Sequence, residues 1–162
     1  MTEAQLSNAM DAYGSTVYRL ALTRMQNIAD AEDVYQEVFL RLWKQAAEDW
    51  DGDRAKAWLI RTTLNRCADL HRFHLRRPVL SFAEIPDLAQ PEDESRELWE
   101  AVSRLPEKAR TAVHLYYAEG YSAEEISQLM HIPAATVRTR LHRARKQLKE
   151  LLGGIDDETC VS

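Results

Sequence analysis

The stretch from residue 121 to residue 150, YSAEEISQLMHIPAATVRTRLHRARKQLKE, constrains the fold of this chain more than any other. Ser122 followed three residues later by Glu125 is a capping box, so a helix begins at Ser122 and buries Ile126, Leu129 and Met130. It stops near His131. Pro133 then stands in the first turn of a second helix, where Val137, Leu141, Ala144, Leu148 and Leu151 recur at spacings of four, three, four and three on one face. Two short helices with so few residues between them must pack across a tight turn.

The side opposite that apolar stripe carries Ala135, Thr139, His142, Arg143 and Lys146, flanked by Arg138, Arg140, Arg145 and Lys149. Between Ala134 and Lys149 there are six basic residues and no acid. A charge run alone more often describes a solvated basic helix packed on its partner. Cap, turn and apolar register together favour the geometry that places a second helix in the DNA major groove. His131 stands where such a turn favours glycine, and a left-handed backbone there costs a non-glycine residue about 1 kcal/mol.

A net charge of −5 is unexpected for a DNA-binding chain until the charges are placed along it. Residues 1–76 hold ten basic and eleven acidic side chains, 77–100 two and seven, and 101–152 nine and five, and the tail adds three acids. The acid is concentrated in the middle and at the end, so a basic C-terminal module can bind DNA weakly alone and be directed by a partner. The 162 residues, 45% of them apolar, suit one domain or two small ones. Neither a signal peptide nor a membrane-length apolar run is present, which predicts a cytoplasmic protein without direct membrane insertion. Cys67 and Cys160 form no C-x-x-C pair and are expected to be reduced thiols. No G-x-S-x-G, Walker or glycine-rich fingerprint occurs, so no catalytic site, cofactor or metal is expected and the chain is not read as an enzyme.

From the N-terminus, residues 2–26 read as a helix with Leu6, Met10, Tyr13, Val17, Leu20, Ala21 and Met25 inward, interrupted at Gly14 and Ser15. Asp30 is the expected N-cap of a second helix over 31–47. Val34, Tyr35, Val38, Phe39, Leu42 and Trp43 share one side of it; Asp33, Gln36, Glu37 and Lys44 share the other with Leu40 among them, which suggests a docking surface for a basic partner, although a lone exposed leucine is commonplace. After a loop over 48–54 containing Trp50, a third helix over 55–75 turns Leu59, Ile60, Thr63, Leu64, Cys67 and Leu70 inward. Its other side presents Trp58, Arg61, Asn65, Asp69 and Arg72, which suit single-stranded nucleic acid or, equally on spacing alone, a half-buried tryptophan among surface ion pairs. Cys67, His71 and His74 share a face but lack further zinc ligands, so a packed cysteine is expected there.

Three prolines and several acids over 78–94 mark an extended linker. Helix resumes over 95–105 with Leu98, Trp99 and Val102 as its apolar set, and the next helix, opened by Leu105-Pro106, carries Ala109, Ala112, Val113, Tyr116 and Tyr117 and ends at Gly120. The expected fold is all-α: two small helical domains, 1–77 and 95–152, joined by the acidic linker 78–94 and followed by a frayed tail, 153–162.

Taken together these stretches resemble the extracytoplasmic-function (ECF) class of bacterial RNA polymerase sigma factors, from Tyr13 to Leu152. The resemblance rests on Asp30-Ala31-Glu32-Asp33, Gln36-Glu37-Val38-Phe39, Leu42-Trp43, Ala57-Trp58-Leu59 and the run Asn65, Asp69, Arg72. In the second half it rests on Leu105-Pro106, Glu119-Gly120-Tyr121-Ser122, Glu125-Ile126 and the run from Thr136 to Arg145. Ser127 and His131 depart from the family's usual alanine and glycine. The resemblance implies that residues 1–77 are sigma region 2, with Asp33, Gln36, Glu37 and Leu40 docking on the polymerase clamp helices. Trp58, Arg61, Asn65 and Arg72 would then melt and hold the non-template strand of the minus-ten element, with the loop at Trp50 reading a flipped base. Residues 95–152 would be sigma region 4, with Arg138, Thr139, His142, Arg143 and Lys146 on the minus-thirty-five element. Implied partners are core RNA polymerase (clamp helices and flap), promoter DNA and an anti-sigma factor; the linker would occupy the polymerase RNA channel. The alternatives are a two-domain helix-turn-helix regulator that never joins polymerase, and an adaptor whose basic helix binds acidic protein or RNA.

Overall fold

The computed structural model describes residues 2–45, 52–76 and 93–153, without the side chains of 76 and 93–96. The loop with Trp50, nearly all of the linker and the tail beyond Gly153 lie outside these residues. The helices before residue 77 and those after residue 92 form two separate compact units.

The first unit consists of α1 (Glu3–Met25), α2 (Ile28–Lys44) and α3 (Gly52–Arg76), each packed on the other two. Thr2 and Gln5 close a capping box at the head of α1. The helix then runs through Gly14 and Ser15 without the expected interruption. Gly14 is buried, and a Cβ there would lie 3.1 Å from the Tyr35 hydroxyl, so this glycine serves the close approach of α2. Gln26, at φ 51°, ends α1, and its N–H donates to Leu22 O at 2.8 Å. Asn27 caps α2 by accepting from the Asp30 N–H at 2.9 Å, so the helix starts one turn before the expected cap at Asp30. Asp30 is thereby freed to meet His74 Nε2 at 3.0 Å, which ties the start of α2 to the end of α3.

Val17, Leu20, Leu22, Val34, Val38, Leu42, Leu59 and Ile60 are buried at the centre of this unit, and Cys67 is buried among them. The buried Thr63 satisfies its hydroxyl by donating to Leu59 O, four residues back, at 2.7 Å. Every residue expected inward on α3 is buried, because its apolar register is long and uninterrupted.

The second unit comprises α4 (Asp93–Ser103), α5 (Glu107–Val113) continuing into a π-helical turn (His114–Ala118), α6 (Ala123–Met130) and α7 (Ala134–Leu151). α4, α5 and α6 all pack on α7. Two expectations are corrected. On α4 the buried positions are Ala101, with Leu105 just beyond the helix, whereas Leu98 is exposed and Trp99 and Val102 only half-buried. After α5, the extra residue in the π turn rotates Leu115 fully inward and leaves Tyr117 51% exposed, removing Tyr117 from its expected inward stripe. Arg110 is buried and donates from Nη1 to Leu105 O at 2.7 Å, satisfying the carbonyl at the α4–α5 bend.

The capping box forms as expected: the Glu125 N–H donates to Ser122 Oγ at 3.1 Å and the Ser122 N–H to Glu125 Oε1 at 3.0 Å. Ile126 and Leu129 are buried, and the helix ends with His131 in the left-handed conformation, φ 55° and ψ 46°. α7 starts directly after Pro133 and buries Val137, Leu141 and Ala144. Its stripe then runs past its neighbours, so Leu148 is only half-buried and Leu151 is 37% exposed.

Candidate nucleic-acid and docking interfaces

On α7 the residues expected to face DNA do face outward: Arg138, Thr139, His142, Arg143 and Lys146 are all exposed. With Arg145, which is half-buried, they divide into two rows. Arg138 and Arg145, seven residues apart, border an open groove with Tyr116, Ser122, Ala123 and Glu124. Arg138 is ion-paired with Glu124 of α6, but both side chains are about 60% exposed (59% and 62%), so this pair adds little stability. Arg145 donates from Nε to the Tyr117 hydroxyl at 2.6 Å, and its guanidinium lies 5.6 Å from the Tyr116 ring centre and 5.8 Å from that of Tyr117. Sequence reasoning placed Arg145 only among the flanking cations, because nothing in the periodicity announces the π turn that brings both tyrosines to it. The second row, Thr139, His142, Arg143 and Lys146, points to solvent, and the acid of α7, Glu150, lies one turn beyond Lys146.

In the first unit, Asn65, Arg61 and Arg72 are exposed on the outer side of α3 and Trp58 is half-buried. Asp69 and Arg72 form the surface ion pair that the spacing left open. On α2, Asp33, Gln36 and Leu40 are exposed, Leu40 at 47%, and Glu37 accepts from Arg41 Nε at 3.3 Å. Asp33 accepts from Arg66 Nη2 at 3.1 Å, a link from α2 to α3 that the sequence did not single out. Asp33 and Arg72 line a common groove with Arg66 and Phe73, so the docking and strand-binding residues expected separately meet at this edge.

A further open groove on α1 and α2 is lined by Tyr18, Glu32, Tyr35 and Gln36. The two tyrosine rings meet edge to face, 6.3 Å between centres and at 80°. Burial raises the Tyr18 phenol above its ordinary value near 10.0, and the Glu32 carboxylate raises it further. Among the described residues there is no cluster of His, Cys, Asp and Glu that could hold a metal, and no helix is long and apolar enough to cross a membrane.

These features define an all-helical protein of two compact units, the second carrying a helix-turn-helix with a basic outward helix. The family described as Sigma-70 region 2 matches residues 9–77 and that described as Sigma-70, region 4 matches residues 95–148. The ECF RNA polymerase sigma factor SigM of Bacillus subtilis is 32% identical over 155 residues, covering 90% of this chain and 94% of SigM. SigE of Mycolicibacterium smegmatis, also an ECF RNA polymerase sigma factor, is 34% identical over 161 residues, 93% of this chain but only 62% of SigE's own length. The sigma factor RpoE of Bartonella quintana, solved in complex with the anti-sigma factor NepR, shares the fold with a TM-score of 0.76 and 24% identity, over 91% of this chain and 96% of that one. The chain belongs to the ECF family of RNA polymerase sigma factors.

Proposed function

We propose that this protein binds core RNA polymerase and directs it to promoters, reading duplex DNA with the second unit and a separated strand with the first. The observation that carries this reading is the exposed row Thr139, His142, Arg143 and Lys146 on the second helix of a helix-turn-helix, within a chain of this family. Arg143 and His142 have the reach and donors to meet base edges in the minus-thirty-five element, and Thr139 and Lys146 to flank them. Arg138, beside Glu124 at the groove with α6, is better suited to a backbone phosphate. On α3, Arg61 and Arg72 would hold phosphates of the non-template strand, Trp58 would stack and Asn65 would hydrogen-bond an edge, with Trp50 reading a flipped base.

Initiation by this route is strand trapping, with no chemical step by the protein. Unstacking a base costs a few kcal/mol, which is recovered when the displaced strand is held on α3. Polymerase would dock on Asp33, Gln36, Glu37 and Leu40 of α2: the carboxylates suit a basic partner face and Leu40 supplies an apolar contact. The flap would meet the second unit. An anti-sigma factor covering these faces would keep the protein inactive, and the whole cycle would run in the cytoplasm. Adding the purified chain to core polymerase and a promoter of defined sequence tests the reading. Promoter-specific transcripts are expected; discrete operator binding by the chain alone, with no transcripts, would reassign it to a regulator that acts without polymerase.

A further inference from the structure

The groove between α1 and α2 lies outside the residues just assigned, apart from Gln36 at its edge. Its walls are two half-buried phenol rings set edge to face, and Glu32, exposed on α2, supplies a carboxylate close enough to act on the Tyr18 hydroxyl. Tyr35 is fixed in this wall from two sides. It stacks at a tilt on Phe39, 4.8 Å between ring centres, and its hydroxyl fills the space that Gly14 leaves open on α1. The glycine is thus spent on seating an aromatic ring at a surface groove, in a helix that would otherwise favour alanine there.

Aromatic faces beside a carboxylate form a recognition site for a cation: the ring quadrupole and the negative charge attract the same group, and a guanidinium can stack and pair at once. Elsewhere on α2 the carboxylates of Asp33 and Glu37 are already met by Arg66 and Arg41, so the carboxylate that lines the groove is that of Glu32. We propose that the groove formed by Tyr18, Glu32, Tyr35 and Gln36 accepts one arginine side chain of core RNA polymerase, extending the α2 docking face beyond Asp33, Glu37 and Leu40. This rests on the docking reading given above. The arginine stacks on Tyr35 and pairs with Glu32, and Tyr18 holds the Tyr35 ring from its far edge.

The test is the dissociation constant of the labelled full-length chain for core polymerase, with far-UV circular dichroism confirming that each variant is folded. Glu32→Gln keeps the shape of the side chain and touches no core residue; Tyr35→Leu removes the ring. Each is expected to raise Kd about tenfold, the double variant no more than about the larger single effect because both act on one cation, and Glu32→Gln to flatten the dependence of Kd on salt. Leu40→Glu, on the docking face itself, is the control and is expected to weaken binding more than either. If Leu40→Glu weakens binding and the two groove variants do not, the groove is no part of the interface and the proposal is overturned. A loss with Glu32→Gln but none with Tyr35→Leu overturns it as well, leaving a bare carboxylate contact. An unchanged Kd for Leu40→Glu would overturn the docking reading, and the groove assignment with it.

Discussion

His131 and Ser127, the two residues that depart from the family's usual glycine and alanine, act together in the turn of the helix-turn-helix. His131 adopts φ 55° although it carries a Cβ. The N–H groups of His131 and Ile132 both donate to Ser127 O, the latter at 3.2 Å, and the Ser127 hydroxyl donates to Ile132 O at 2.5 Å. The serine thus bonds across the turn that the histidine strains. His131→Gly is expected to stabilise the second unit by about 0.5–1 kcal/mol, the relief of strain less the greater freedom of an unfolded glycine. Ser127→Ala is expected to destabilise it by about 1 kcal/mol, and by less once His131 is glycine. Urea unfolding of the two single variants and the double one checks this; strictly additive effects would show that the residues act independently. A second residue-scale expectation concerns Tyr18, whose phenol is held above its ordinary value by burial and by Glu32. The folded state then keeps the proton where the unfolded chain releases it, so this contribution is complete below pH about 10 and is lost as pH rises through the folded value. Tyr18→Phe should flatten the alkaline decline of stability; an unchanged slope would remove the argument.

Among the elements, those with local start and stop signals were the ones readable from the sequence. The capping box of α6 and the apolar stripe of α7 are short-range patterns and the structure has both. The start of α2 is misplaced by one turn on sequence alone: only Asp30 reads as its cap, but the left-handed Gln26 that ends α1 puts the start at Asn27. Gly14 reads as a break in sequence because its partner, Tyr35, is on another helix. The π turn has no periodic signature, so the outward Tyr117 and its contact with Arg145 could not be foreseen. The outward faces of α2, α3 and α7 were legible because a stripe that buries one side fixes the other. The two rows on α7 give an element-scale prediction. Arg143→Ala should lower affinity for the cognate minus-thirty-five duplex by about 1–3 kcal/mol and relax preference at one base pair. Arg138→Ala should weaken cognate and scrambled duplexes alike and reduce the salt slope by about one. Binding isotherms of the polymerase complex at several salt concentrations separate the two, and loss of sequence preference on changing Arg138 would reverse the assignment.

For the whole molecule, the proposed function makes two units with separate cores share one promoter, and each would grip DNA only weakly unless something else held both. The net charge of −5 works against free binding. A shared partner converts the second contact into an intramolecular one, a gain of about 10² to 10⁴ in avidity without new contacts. Leu40→Glu should therefore abolish initiation on every template while leaving the weak duplex binding of α7 unchanged, because Leu40 is on α2 of the other unit. Asn65→Ala should behave differently. Its side chain is exposed on α3, where the reading assigns it to the separated strand, so polymerase binding should persist and open-complex formation should fall. A promoter built with a permanent mismatch bubble over the minus-ten element tells holding from melting. If Asn65 holds the strand, the defect remains on the bubble; if α3 only helps to break base pairs, the bubble restores wild-type rates. A variant matching wild type on both templates would take Asn65 out of strand recognition, and the division of labour between the two units would lose its best-placed residue.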